Sequence, residues 1–141
     1  MSLGNMCRRN VVTVKPGTMV KEATMLMEEK NIGSVIVSGD GDGFGIVTDR
    51  DIALGIVNRN LDPEQTTVDQ LMTHNFVLVL KEDMGLLEAL EQVRRSAVRR
   101  FPIVDEGGNL VGIITLDDII TLLGKEMSDV ASIIENEGPL L

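Results

Sequence analysis

The sequence predicts an α+β fold made of two copies of a β-α-β-β-α unit, and three observations support this. The octapeptide GIVTDRDI at residues 45–52 returns as GIITLDDI at residues 112–119. Short apolar runs typical of strands and stretches of helical periodicity follow one another in the same order around both copies. The chain has 141 residues, 43% of them hydrophobic, which is enough for a real core. Two units this small are expected to pack on each other with approximate twofold symmetry.

The first copy of the unit is predicted at residues 6–60. Its expected elements are a strand at 10–14, a helix beginning near 18, strands at 34–37 and 44–47, and a helix after 48. Gly33 is expected to end the first helix, and the Gly- and Asp-rich run 38–43 to form a hairpin turn. The helical residues expected in the core are Val20, Ala23, Met27, Ile52, Ile56 and Val57.

The second copy is predicted at residues 71–125, after a linker at 61–70. A short helix predicted over 68–72 leads from the linker into the second copy. Its expected elements are a strand at 76–80, a helix beginning near 83, strands at 101–104 and 110–114, and a helix at 117–123. The first of these helices is expected to bury Leu86, Ala89, Leu90 and Val93. Residues 126–141 are predicted to be a C-terminal helix and tail, whose apolar stripe meets either the domain or another chain.

Composition excludes several classes of function. A net charge of −9 and only three Phe argue against nucleic-acid binding. The longest apolar run, FVLVL at 76–80, is far shorter than the roughly 20 residues of a membrane-spanning helix. A single cysteine, Cys7, permits neither an intrachain disulfide nor a multi-cysteine zinc site. We therefore expect a cytoplasmic protein that does not act on membranes.

Each copy of the repeat contains a Thr-x-x-Asp step, Thr48 to Asp51 and Thr115 to Asp118. The spacing is that of a helix capping box, which stabilises a helix by about 1 kcal/mol. The same geometry also suits a small ligand. A helix N-terminus attracts phosphate through its N–H groups and dipole, and a carboxylate there accepts hydrogen bonds from ribose hydroxyls. Repetition supports both interpretations equally, and both remain open on the spacing alone.

Four stretches carry a resemblance to a known family. Three of them, MCRRNVVTV at 6–14, LMTHNFVLV at 71–79 and RFPIVD at 100–105, are new, and the repeated octapeptide, with its two copies, is the fourth. With them, the sequence over about 6–125 resembles a tandem pair of CBS motifs, also called a Bateman module. The resemblance implies a non-catalytic regulatory module that binds adenosine-containing ligands in clefts between its motifs. It also implies pairing into homodimers and action on a regulated protein partner.

The resemblance assigns expected roles to individual residues. Ribose contacts are Asp51 and Asp118, and phosphate contacts are Thr48, Arg50, Arg99, Arg100 and Thr115. The base contacts are Val12, Thr13, Val77 and Leu78, with Leu78 standing where a small polar residue is commoner. By family geometry Arg100 serves the cleft of Asp51. We therefore expect that cleft to hold the phosphate, whereas Asp118 has Thr13 but few cations.

The leading hypothesis is a sensor of AMP, ADP or ATP with no required cofactor. The alternatives are a ligand-free dimerisation module, or a CBS protein that binds S-adenosylmethionine, NAD(H), a divalent metal or nucleic acid. The DGDG run at 40–43 resembles the opening of a calcium-binding loop. No metal site is expected there, because Phe44 stands at the next ligand position and cannot coordinate a metal ion. His74 is the single histidine, and the sequence does not indicate Ser and Asp partners that would complete a hydrolase triad with it. An enzyme is therefore the least expected function.

Overall fold

The computed structural model describes residues 1–39, 43–72 and 78–137, and it confirms the predicted α+β class. The helices are α1 (Leu3–Met6), α2 (Val20–Lys30), α3 (Asp49–Arg59), α4 (Val68–Leu71), α5 (Leu86–Val93) and α6 (Leu116–Glu137). The strands are β1 (Thr13–Val14), β2 (Ser34–Ser38), β3 (Phe44–Thr48), β4 (Leu80–Lys81), β5 (Arg100–Val104) and β6 (Leu110–Thr115).

The strands form two three-stranded sheets of the same design, in the orders β1-β2-β3 and β4-β5-β6. In each sheet the first pair is parallel and the second antiparallel. Each parallel pair is joined through a helix and each antiparallel pair by a short connection, as these pairings require. The predicted repeat of one β-α-β-β-α unit is therefore present twice. The predicted twofold packing of the two copies remains a prediction.

The chain packs into two compact units whose limits differ from those of the sequence repeat. The N-terminal unit is Arg9–Leu78, and the C-terminal unit is Met1–Arg8 with the chain from Val79 onward. We call residues 1–8 the N-terminal segment and residues 66–72 the middle segment. The N-terminal segment reaches into the start of the first copy of the repeat but packs in the unit of the second. The predicted repeat boundaries at 60 and 71 remain sequence predictions.

The two segments make equivalent backbone contacts, each in its own unit. Val68 of the middle segment donates its N–H to the carbonyl oxygen of Thr18 over 2.8 Å. Leu3 of the N-terminal segment donates in the same way to Met84 over 2.9 Å. Val68 and Leu3 are fully buried, so each segment adds an apolar residue to the core of its unit.

The glycines that open the two octapeptides make room for these segments. A Cβ on Gly45 would lie 2.5 Å from the thioether sulfur of Met72. A Cβ on Gly112 would overlap Cys7 Sγ and lie 2.9 Å from the carbonyl oxygen of Arg8. The repeated glycine is thus explained by close approach of a segment to the sheet, a role that its sequence position alone does not reveal.

Several element boundaries in the N-terminal unit differ from the predictions. The predicted strand at 10–14 is reduced to Thr13–Val14. Helix α2 ends before Gly33, because Asn31 adopts the left-handed conformation (φ 52°) that Asn tolerates and closes the helix. The prediction that Val57 is a core residue is wrong, since it is 74% exposed. Gly55 is buried instead, and its missing side chain admits Leu71 of the middle segment.

The C-terminal unit differs from its prediction mainly in its last helix. Two helices were expected at 117–123 and 126–137, but α6 runs without a break from Leu116 to Glu137. Ala89 and Val93 of α5 are buried as predicted, whereas Leu86 and Leu90 are only half-buried. Strand β4 occupies Leu80–Lys81, so the predicted strand at 76–80 is wrong for residues 78 and 79, which lie outside any strand, while residues 76 and 77 lie outside the described residues. Part of the predicted hairpin turn at 38–43 does so too.

Candidate ligand site

Both Thr-x-x-Asp steps form complete capping boxes where an edge strand leads directly into a helix. At the start of α3, Asp51 donates its N–H to Thr48 Oγ1 over 3.1 Å, and Thr48 donates its N–H to Asp51 Oδ2 over 3.0 Å. At the start of α6, the corresponding distances between Asp118 and Thr115 are 3.0 and 3.1 Å. The capping prediction is confirmed in both copies.

The first amides of α3 already have acceptors within the chain. Asp49 donates its N–H to the Gly33 carbonyl over 2.9 Å, and Arg50 donates to Asp49 Oδ1 over 2.8 Å. The third amide, that of Asp51, is held by Thr48. A phosphate at this helix would therefore be bound mainly by side chains and the helix dipole, rather than by the N–H groups that the sequence argument invoked.

An arginine that the sequence argument missed contacts the second carboxylate. Arg8 donates from Nε and Nη2 to Asp118 Oδ1 over 3.2 and 2.7 Å. Two backbone hydrogen bonds of 2.9 Å with Ile113 hold Arg8 beside β6. Few cations were expected near Asp118, and this expectation is wrong because the Arg8 guanidinium contacts its carboxylate. Only the placement of the N-terminal segment in the C-terminal unit shows the contact, since the two residues are 110 positions apart.

The environment of Asp118 favours the charged carboxylate. Its burial raises the pKa, but hydrogen bonds from Arg8 and from the side chain and backbone of Thr115 outweigh this effect, and the pKa lies below its usual range. The side chain is 18% exposed, against 71% for Arg8. Asp118 is thus an anionic, hydrogen-bond-accepting group at the start of a helix, the type of group that binds hydroxyl donors.

The predicted phosphate-binding arginines differ in their surroundings. Arg99 pairs with Asp117 through Nη2 and Oδ1 at 3.1 Å, and both side chains are exposed. Arg100 is half-buried and lies directly opposite Thr115 in the β5–β6 pair, so the two side chains project from the same face of the sheet. Arg50 is exposed at the start of α3. Within the C-terminal unit, Arg100 and Asp118 are thus both placed next to Thr115.

The predicted base contacts are divided by burial. Thr13 is exposed in β1 and Val12 beside it is half-buried. Leu78 is half-buried, and Val77 lies outside the described residues. Of the described candidate residues, the N-terminal unit contains Val12, Thr13, Thr48, Arg50, Asp51 and Leu78, and the C-terminal unit contains Arg99, Arg100, Thr115 and Asp118.

Three other features of the described residues bear on function. A surface cavity in the C-terminal unit is lined by Glu82, Asp83, Asp105, Glu106 and Gly107, and its carboxylates repel a phosphate. In residues 1–39, 43–72 and 78–137, no group of three or more His, Cys, Asp or Glu side chains is arranged to hold a metal ion. No helix in those same ranges has both the length and the apolar character needed to cross a membrane.

Comparison with known proteins identifies the family. The CBS-domain model matches this chain twice, at residues 3–58 and 68–125. The chain belongs to the CBS-domain family. Among similar proteins, the CBS domain-containing protein YhcV of Bacillus subtilis is 38% identical over 77% of this chain and 76% of its own length. An uncharacterized Methanopyrus kandleri protein, MK0525, is 35% identical over 85% of this chain. This CBS chain spans 61% of the length of MK0525.

Solved structures support the same assignment. A structure of CBSX2 in complex with AMP matches with a TM-score of 0.69 and 28% identity. The match covers 89% of this CBS chain and 98% of CBSX2. The fold recognised from the sequence is therefore that of solved CBS proteins.

Proposed function

We propose that this CBS pair is a regulatory module that binds an adenosine-containing ligand of the AMP, ADP or ATP class. The observation that carries the proposal is the repeated placement of a carboxylate, Asp51 or Asp118, in a capping box at the start of the helix after an antiparallel strand pair. The AMP complex of CBSX2, a protein 28% identical to this chain, supports this ligand class.

The carboxylates are proposed to accept hydrogen bonds from ribose hydroxyls. An ionised carboxylate offers about four acceptor positions, and the ribose hydroxyls are proposed to share them with the groups that the carboxylate already binds. At Asp118 the ligand also meets Arg8, which already donates twice to Oδ1. Ribose binding there therefore shares the carboxylate with Arg8 or displaces it.

The phosphate is proposed to be bound by side chains. The hydroxyls of Thr48 and Thr115 accept from an Asp N–H, and their hydrogens are available to donate to a phosphate oxygen. Positive charge is supplied by Arg50, Arg99 and Arg100. The guanidinium group of an arginine can donate two parallel hydrogen bonds to two oxygens of one phosphate. For Arg99 this requires leaving its exposed ion pair with Asp117, which costs little.

The base is proposed to lie among Val12, Thr13, Val77 and Leu78. Apolar side chains with one hydroxyl suit a flat, largely apolar ring that carries few polar groups. The module is proposed to act without catalysis, as a homodimer that presents a ligand-dependent surface to a regulated protein. A ligand can do this only by binding one arrangement of the module more tightly than another.

Thermal unfolding with AMP, ADP, ATP, S-adenosylmethionine and NADH tests the proposal. At a hundred times its dissociation constant, a ligand adds about 2.7 kcal/mol of stability, which raises the melting temperature by several degrees. We expect a rise with at least one of the adenine nucleotides, and recovery of that nucleotide unchanged after incubation. No rise with any of the five compounds contradicts the ligand, and turnover of a nucleotide contradicts the non-catalytic assignment.

Single variants separate ligand binding from capping. Asp51→Ala and Asp118→Ala are expected to weaken nucleotide binding at least tenfold in isothermal titration, whereas Glu91→Ala, at an exposed acid on α5, serves as the control. Because each Asp variant also loses a cap, binding is compared at a temperature where all proteins are folded by circular dichroism. If both Asp variants bind as tightly as the control, the two carboxylates are caps only.

A further inference from the structure

The C-terminal half of α6 carries an apolar stripe that nothing in the described chain covers. Every residue from Leu123 to Glu137 is exposed, including the large apolar side chains Leu123, Met127, Val130 and Ile134. We call these four residues the α6 seam. Their exposed fractions run from 41% to 73%.

The spacing of the α6 seam is that of a helix-pairing surface. The four residues are separated by four, three and four positions, which is the a/d pattern of a heptad repeat. At 100° per residue their side chains fall within about 60° of one another around the helix. The opposite face carries Ser128 and Ser132. Ile133, also exposed, lies about 90° from the centre of the seam and widens the apolar face on one side. The four seam residues themselves form the a/d stripe that suits pairing with one partner helix.

The exposed part of α6 receives little stabilisation from its own chain. Residues 124–137 continue the helix that begins at Leu116, but most helical stability in proteins comes from packing of an apolar face, and here that face is uncovered. Gly124 lowers helix propensity further, and so do the β-branched Val130, Ile133 and Ile134. A partner that buries the seam supplies the missing stabilisation. The seam also lies almost wholly beyond residue 125, where the match to the CBS-domain model ends.

We propose that the α6 seam pairs in antiparallel orientation with the same seam of a second copy of this chain. A twofold axis between Met127 and Val130 places Leu123 opposite Ile134 of the second copy and Met127 opposite Val130. All four layers are then apolar, and the contact is closed and self-complementary.

Two further features favour this antiparallel pairing. The dipoles of antiparallel helices oppose each other favourably, whereas those of parallel helices repel. On one side of the seam lie the small residues Gly124 and Ala131, which face each other across the antiparallel pair. Small flanking residues let helix axes approach to the short end of the usual 8–10 Å.

Charge substitution on the two faces of α6 tests the pairing. In the full chain, Met127→Glu with Val130→Glu places charges in the seam, and Ser128→Glu with Ser132→Glu adds the same charge on the opposite face. By sedimentation equilibrium, the seam variant is expected to halve the particle mass of the wild type, whereas the control keeps it. Hydrogen exchange of residues 124–137 is expected to slow with increasing concentration in the wild type and control only.

Equal masses for the two variants, or protection of residues 124–137 that does not depend on concentration, would overturn the proposal. The substituted positions are exposed in the single chain, so folding is expected to be unaffected. AMP binding is measured on the same samples and is expected to be unchanged. A failure of the pairing is thereby distinguished from a failure of the nucleotide proposal.

Disulfide trapping tests the orientation. In a Cys7→Ser background, one chain carries Leu123→Cys and another carries Ile134→Cys. When the two are mixed and oxidised, antiparallel pairing brings the two cysteines within bridging distance, and a mixed dimer is expected to dominate. Dimers linking two copies of the same variant would overturn the antiparallel arrangement.

Discussion

Breaking the contact between Arg8 and Asp118 is expected to have a small and pH-dependent effect on stability. Asp118→Ala removes the acceptor of the Thr115 N–H as well as the partner of Arg8. Loss of a capping interaction costs about 1 kcal/mol. The ion pair adds about 0.5 kcal/mol, because Arg8 is 71% exposed and solvent screens the attraction.

A double-mutant cycle isolates the ion pair from the cap. We expect Asp118→Ala to cost about 1.5 kcal/mol, Arg8→Ala about 0.5 kcal/mol, and the coupling between them to be about 0.5 kcal/mol. Free energies of unfolding are measured by urea titration at pH 7. The exposed pair Arg99 and Asp117 is a matched control cycle, expected to couple by about 0.2 kcal/mol, since both its side chains are exposed.

The pH dependence of the cycle has a defined sign. The pKa of Asp118 in the folded protein lies below the ordinary aspartate value of 3.8. A lowered folded pKa means that the contribution of this carboxylate is fully present above pH 3.8 and is lost as the pH falls through the folded pKa. The Arg8 coupling should therefore disappear in strong acid and shrink in 1 M salt.

Two results would refute this reasoning. A coupling above about 2 kcal/mol at pH 7 would mean that the pair behaves as a buried one, contrary to the exposure of Arg8. A coupling that persists once Asp118 is protonated would mean that the contact is not an ion pair.

Gly112→Ala is expected to cost about 2 kcal/mol, because its Cβ would press on the Arg8 backbone, while Gly45→Ala costs less than about 1 kcal/mol because it meets only a thioether that can rotate. Equal costs by urea denaturation would contradict this. Val57→Ser is expected to change stability by under about 0.5 kcal/mol and Ile52→Ala to lower it by about 3 kcal/mol, as one is exposed and the other buried. A large Val57 cost would indicate that a partner covers it.

Features encoded by near neighbours in the chain were predictable from the sequence. The capping boxes of Thr48 with Asp51 and of Thr115 with Asp118 join residues three positions apart, so the local pattern was sufficient. The alternation of apolar runs and helical periods gave the order of the elements for the same reason. The family resemblance added the ligand class and the residue roles, which the spacing alone left open.

Features that depend on distant parts of the chain were not predictable. Ile52 and Val57 are five positions apart and therefore about 140° apart around α3, and the approach of Leu71 to Gly55 buries the side of Ile52 that faces away from Val57. Likewise, Arg8 reaches Asp118 only because the N-terminal segment packs in the C-terminal unit. Nothing in the residues near Arg8 indicates that packing. Periodicity identifies an amphipathic face without identifying the element that covers it.

Because of where the N-terminal and middle segments pack, the compact units of the structure do not coincide with the two copies of the sequence repeat. A fragment cut at the end of the first repeat, at residue 60, would lack Val68 and Leu71 from its core. The cleft that these residues fill beside Gly55 would then face water. A fragment of residues 9–78 keeps its core intact although it divides both repeats. For this chain, the natural cut for domain transplantation lies inside the repeats rather than between them, and a gene that carried only the first copy would encode most of one core without the segment that completes it.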